Sequence, residues 1–186
     1  MREDLRVIKS KQAIENAFIS LIEEKGFENV KIIDIARKAN VNRNTIYLHY
    51  ESKEQIIETL VDKIFTNEVP SFTVDTYLKG RYSKKILTEM FTRIFAVINE
   101  HVELYRIILT DHNLSGYLTL QMKKVKAFIL GSLKPSLKNE IIVEYVVSGV
   151  FGIFRNWIIY DRGSVEENVK MISDLVILNM RHATFN

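Results

Sequence analysis

VNRNTIYLHY, residues 41–50, is the stretch that decides how this chain reads. It sets Arg43, Asn42, Asn44, Thr45, Tyr47 and His49 among Ile46, Leu48 and Tyr50 over a helix-length segment. A surface helix has no need of Leu48, and a core helix has no room for Arg43 and Asn44. At roughly 100° per residue, Ile46 and Tyr50 share one edge, and Leu48 points almost directly away from it. Asn44 and Thr45 flank Leu48, with Arg43 and Tyr47 bordering that outer face on one side and His49 on the other. The inward edge is suited to packing on a preceding helix and on Phe18 or Leu21. A helix buried on both sides, with Leu48 inside a larger core, is the alternative that these ten residues leave open.

The flanks weigh against that alternative. Ser10 reads as the cap of a first helix whose stripe is Ala13, Ile14, Ala17, Phe18, Leu21 and Ile22, and Gly26 as its stop. A short helix over Ile32–Ala39 follows. Asn40 then stands where a tight turn needs positive φ, Val41 plugs the turn, and Asn42 caps the quoted helix. Ser52 caps a fourth helix running from Lys53 to about Asn67, with Ile56, Ile57, Leu60, Val61 and Ile64 inward. Helix, tight turn and helix within about 20 residues is a helix-turn-helix arrangement.

Charge is distributed to match. The 186 residues carry a net charge of only +3, but between 31 and 53 five cations face two carboxylates, Asp34 and Glu51. An outer face of Asn44, Thr45 and Leu48 suits a DNA major groove. Asn pairs with adenine, Arg with guanine, and Leu or the Thr methyl meets the thymine methyl. Tyr47, His49, Lys53 and, across the groove, Lys31 suit the phosphate rims, where contacts orient without reading sequence. Lys31 and Lys53 also stand at helix N-termini, which favour phosphate.

Other classes lack their chemistry. With no cysteine there is no disulfide framework, thiolate nucleophile or Cys-ligated zinc, as suits a reducing cytosol. The four histidines are scattered, no Gly-rich phosphate loop appears, and no acid–base pair clusters, so an enzyme, a cofactor and a metal site are not expected. His101 and His112, near Glu103 and Asp111, read as exposed side chains. Residues 1–11 are charged, with no signal-peptide core. Ile141–Ile159 is long and apolar enough for a bilayer, but it holds Glu144, Arg155 and Asn156 and reads as a doubly buried helix of a soluble, cytoplasmic protein.

Residues Lys11–Leu60 resemble the DNA-binding domain of the TetR family of transcriptional regulators. The pattern is Ala13-Ile14 with Phe18-Ile19, Lys25-Gly26-Phe27, Ile32 with Asp34-Ile35-Ala36, Ala39-Asn40-Val41, Thr45-Ile46-Tyr47 with His49-Tyr50, and Lys53-Glu54. The resemblance implies a homodimer, with Arg43, Asn44, Thr45 and Leu48 toward bases and Tyr47, His49 and Lys53 toward phosphates. Two positions depart from the family: Lys31 replaces a capping Thr, and Asn40 a common Gly. Further on, Glu103-Leu104-Tyr105-Arg106, Gly149 with Phe151-Gly152-Ile153, and Arg155-Asn156-Trp157 resemble the subgroup that includes regulators of dihydroxyacetone kinase operons.

The expected organisation is all-α: a DNA-binding domain over 1–67 and an effector-binding and dimerisation domain over 68–186. Val69-Pro70-Ser71 marks the boundary. Helices are expected at Lys84–Asn99, Glu103–Leu109, Leu114–Leu133, Asn139–Tyr160 and Val165–Arg181. The resemblance implies that the last two pair with those of a twin subunit through Ser148, Gly149, Gly152, Val169, Ile172 and Val176. It also implies an effector among the middle helices, for which Phe91, Phe95, Tyr105, Tyr117, Met122, Phe128 and Trp157 are the aromatic and thioether candidates. The function implied is a repressor released from its operator by a small molecule. The alternative is an activator whose second domain binds a partner protein.

Overall fold

The computed structural model describes residues 5–68 and 83–184, and of residues 65–68 and 115 the backbone alone. The boundary loop expected at 69–71 lies outside them. Among the described residues the chain is helical, with no strand. It forms two compact units that divide between Asp62 and Lys63, earlier than the division at 67 read from the sequence.

In the first unit α1 spans Leu5–Lys25, a 3-10 turn Phe27–Asn29, α2 Ile32–Lys38 and α3 Arg43–Tyr47, and α4 (Lys53–Glu68) begins there and continues past the division at Asp62. Helix α1 starts earlier than Ser10, because Leu5-Arg6-Val7-Ile8-Lys9 contains no breaker, so Ser10 lies inside the helix and does not cap it. Its end is as expected: Gly26 takes φ 76°, a backbone that a side chain would strain. Asn40 likewise turns the chain at φ 53°. Ile14, Phe18, Ile35, Ile46, Ile56 and Ile57 are sealed in the core, and Phe27 meets Phe18 edge-on at 6.1 Å. The Ser52 hydroxyl accepts the Gln55 N–H at 3.2 Å, which caps α4.

The second unit holds α5 (Lys84–Glu100), α6 (Val102–Thr110), a 3-10 turn (His112–Leu114), α7 (Ser115–Leu130), α8 (Leu137–Tyr160) and α9 (Val165–Met180). Helix α5 packs on α9, and α8 lies against α6, α7 and α9. Ser136 caps α8, and Ser164 with Glu167 forms a reciprocal capping box at α9. The buried Asn139 amide donates to the Lys134 and Thr184 carbonyls, both at 2.8 Å, and accepts the Thr184 N–H, so it clamps the C-terminal segment to the start of α8.

Helix α8 corrects one expectation. It is the one helix among the described residues long and apolar enough to cross a membrane, but it is not covered on most sides. Val143, Val146, Val147, Trp157 and Ile158 face inward, whereas Leu137, Ile141 and Tyr145 are exposed in the single subunit, Tyr145 at 65%. An apolar face of that size needs an explanation outside the subunit's own core.

Candidate nucleic-acid interface

Helix α3 is short but held at both ends. Asn42 lies in extended backbone and its side-chain oxygen accepts the Asn44 N–H at 2.9 Å. Beyond Tyr47 the ladder continues through Leu48 N–H to the Asn44 carbonyl (3.0 Å) and Tyr50 N–H to the Ile46 carbonyl (2.8 Å), so helical rotation persists to Tyr50. Ile46 is fully buried and Tyr50 is 3% exposed, whereas Leu48 is 79% exposed. The Tyr50 hydroxyl donates to the buried Glu15 carboxylate at 3.1 Å, fixing the end of the segment to α1.

Arg43, Asn44, Tyr47 and Leu48 are exposed on the outer side, and Thr45 and His49 are half-buried. The Arg43 guanidinium donates to the Tyr47 hydroxyl at 2.9 Å and lies 5.3 Å from the ring centroid, one turn along the same face. These two expected DNA contacts are therefore brought together before any DNA arrives.

The Lys31 side chain is exposed at the start of α2. An ammonium has no lone pair, so it cannot replace the oxygen of a capping Thr. The cap comes instead from Asp34, whose carboxylate accepts the Lys31 N–H at 3.2 Å and the Lys25 ammonium at 2.6 Å. The Lys25 ammonium, then the Lys31 N–H, hold the Asp34 pKa below its ordinary value. Lys38 pairs with Glu24, which lowers that carboxyl as well.

Lys53, expected at a phosphate rim, makes a contact within its own unit. Its ammonium turns back to donate to the Phe27 carbonyl at 2.9 Å, sits 4.2 Å from the Phe27 ring centroid, and lies 3.5 Å from the Glu28 carbonyl. No local sequence signal marks a contact between residues 26 apart.

In the second unit the residues expected at a dimer interface separate into two sets. Val169, Ile172 and Val176 are buried in the subunit's own core, while Gly149 and Gly152 are exposed and Ser148 half-buried. An open groove of about 790 Å³ runs along α8 and α9, walled by Leu137, Ile141, Tyr145, Gly149 and Leu175 with Ile172 and Val176 at its floor. The groove also takes in Leu137, Ile141 and Tyr145 of α8, which were not among the residues expected to pair. The Leu-x3-Ile-x3-Tyr-x3-Gly spacing from 137 carries that face, and starting the helix at Asn139 cut it short.

The aromatic residues expected at an effector pocket do not line this groove. Phe95 stacks at 4.6 Å on Phe154 and 4.7 Å from Trp157, and Phe91 joins the same cluster. Tyr105 packs against this core and Tyr117 is buried, whereas Phe128 is 54% exposed. Among the described residues no three His, Asp or Glu gather for a metal.

The family model for "Bacterial regulatory proteins, tetR family" matches residues 16–60, which run from the middle of α1 through the first half of α4. The chain is 32% identical over 72 residues to the uncharacterised HTH-type regulator YxbF of Bacillus subtilis, a match to 38% of this chain and 19% of that one. It is 31% identical over 96 residues to IcaR of Staphylococcus epidermidis, named a negative transcriptional regulator of the biofilm operon icaADBC, covering 50% of this chain and 49% of that one. The chain thus spans half or less of these curated relatives. The fold resembles that of the dihydroxyacetone kinase operon activator DhaS, with a TM-score of 0.65 at 17% identity over 95% of this chain and 99% of that one. The matched domain, residues 16–60, is that of the tetR family of bacterial regulatory proteins, and it carries α3 with Ile46 inward and Leu48 outward.

Proposed function

We propose that the chain is a cytoplasmic, homodimeric repressor that reads a near-palindromic operator through α3 and is released by a small-molecule effector. The observation that carries the reading is the opposition of Ile46 and Leu48. An exposed leucine beside Asn44 and Arg43 contributes little on a surface that faces only water, and is useful in a groove that presents thymine methyls. Arg43, Asn44, Thr45 and Leu48 are assigned to bases, and Lys31, Tyr47, His49 and Lys53 to phosphates.

The exposed α8–α9 groove supports pairing with a second copy. A Cβ added at Gly149 or Gly152 would meet nothing within 4 Å, so the subunit's own packing does not demand glycine there. A twin helix crossing close to α8 does. For such a pair to read one operator, its two copies of α3 must lie about one DNA turn apart, ~34–36 Å. Repression is supported by IcaR, named a negative regulator.

Phe91, Phe95 and Trp157 interlock, so an effector reaching them must open the α5–α8 packing, and this favours one orientation of the unit over another. A second reading, in which the C-terminal unit takes a partner protein and the chain activates, is favoured by the exposed Leu120, Val125 and Phe128 on α7.

Selecting duplexes from a random pool with the whole chain tests the reading. The proposal expects an enriched site with two inverted halves centred one turn apart, bound by two copies. Enrichment of a single half-site by a monomer, or no enrichment, contradicts it.

A further inference from the structure

We infer that two copies of the chain set their register through a reciprocal ion pair, Arg155 of each α8 against Glu144 of the other, with the two helices crossing antiparallel over Gly149. It rests on the homodimer reading above and adds the charges that fix how the two α8 faces meet.

Arg155 lies 11 residues past Glu144. At about 100° per residue that is three turns to within about 20°, so both stand on one edge of the exposed α8 stripe that holds Ile141, Tyr145, Gly149 and Gly152. Glu144 also walls the groove between α8 and α9. The Lys126 ammonium on α7 donates to its Oε1 at 2.6 Å, and the Ser148 hydroxyl donates to the same Oε1 at 3.0 Å. The carboxylate is thereby held in place with no donor on Oε2 among the described residues. The Lys126 ammonium, then the Ser148 hydroxyl, hold the Glu144 pKa below its ordinary value, so the group is charged at neutral pH. Arg155 is exposed and meets no acidic side chain among the described residues. One subunit therefore offers a half-satisfied carboxylate and an unmatched guanidinium on the same edge of one helix.

Two-fold symmetry brings them together. In a two-fold pair, if residue i of one copy meets residue j of the other, then j also meets i. When the paired helices run antiparallel, the residues that face each other lie on the same edge, as Glu144 and Arg155 do. The midpoint of the two falls between Gly149 and Val150. There the backbones can approach most closely, because a Cβ at Gly149 or Gly152 would meet nothing in the subunit itself. Each charge sits about 8 Å along the axis from that point. A crossing of about 20–50° parts them sideways by about 3–7 Å, which the two side chains span. A different helix fitted to this face would need a basic and an acidic group at the same 11-residue spacing, so the charges favour a twin.

Mixing two charge variants of the whole chain separates this pairing from apolar packing alone. Arg155→Glu sets Glu against Glu at both ends of its own dimer, and Glu144→Arg sets Arg against Arg. Sedimentation with one variant fluorescently labelled reads the result, and circular dichroism checks folding. Each variant alone is expected to dimerise about ten-fold more weakly than wild type, because like charges then face each other. An equal mixture is expected to form mixed dimers at close to wild-type strength, since both ends are again opposite in charge. Variants that dimerise as wild type does, or a mixture no stronger than its components, overturn the inference and leave the dimer standing. A wild-type chain that stays monomeric overturns the homodimer reading and this inference with it. Should Glu144→Arg, set beside Lys126, fail to fold, Glu144→Gln and Arg155→Met replace the pair of variants. Each is expected to weaken the dimer, and the double variant no more than the weaker single one. Losses that add overturn the inference.

Discussion

The Tyr50 hydroxyl donates to the Glu15 carboxylate at 3.1 Å inside the N-terminal unit, joining the end of the recognition segment to α1. Both groups are buried, and a hydrogen bond to a charged acceptor contributes about 1.5–3 kcal/mol. Tyr50→Phe keeps the ring and removes the donor. Urea unfolding is expected to show a loss of that order, with DNA affinity falling as the segment loosens. Stability within about 0.5 kcal/mol of wild type, as for an ordinary surface change, would count against the contact.

Arg43 and Tyr47 form a pair on the outer face, by a 2.9 Å hydrogen bond and a guanidinium beside the ring. A guanidinium already oriented loses less freedom when it forks onto a guanine. Arg43→Lys is expected to relax the base preference at one position by about 1–3 kcal/mol, since an ammonium cannot make the fork. Asn44→Ala is expected to relax a second, distinct position. Competition binding against a set of single-base operator variants measures both, and a uniform loss on every variant would mean that neither residue reads bases.

Ile141 is exposed in the centre of the α8 face that also carries Leu137, Tyr145 and Gly149. Ile141→Arg puts a charge where a twin helix is proposed to pack, and desolvating it unpaired costs several kcal/mol. Sedimentation is expected to show a shift toward monomer with unchanged helix content, and operator binding that needs far higher protein. An unshifted oligomer would move the interface elsewhere.

Much of this was legible locally. Gly26, Asn40, Asn42 and Ser52 each act within a few residues, and the turn, caps and helix ends they mark appear where the sequence puts them. The inward edge of Ile46 and Tyr50 was readable because helical rotation is a property of the backbone alone. Contacts between distant segments were not. Lys53 looks like any basic residue at a helix start until the Phe27 carbonyl, folded back from another turn, meets it. Helix α9 has two apolar stripes, Val169-Ile172-Val176-Met180 and Met171-Leu175-Leu178. Only the packing of α5 and α8 shows that the first faces the core and the second solvent.

Acid sensitivity follows from Asp34. Its pKa is held below the ordinary aspartate value, about 3.9, first by the Lys25 ammonium and then by the Lys31 N–H. A depressed carboxyl stabilises the fold above its unfolded pKa, and that contribution disappears as pH falls through the folded value. Asp34→Asn is therefore expected to be less stable than wild type at neutral pH, with the difference closing below about pH 4. Denaturant unfolding at a series of pH values checks this, and a gap that stays constant down to pH ~3 would exclude the charge as its source.

The most direct measurement compares Leu48→Ala with Ile46→Ala for both unfolding free energy and operator affinity. The fully buried Ile46 should cost about 2–5 kcal/mol of stability on truncation. Leu48→Ala should unfold within about 0.5 kcal/mol of wild type and yet lose at least several-fold in affinity. A Leu48 variant that destabilises the fold as much as the Ile46 one, or that binds the operator as wild type does, would contradict the assignment of this face to DNA.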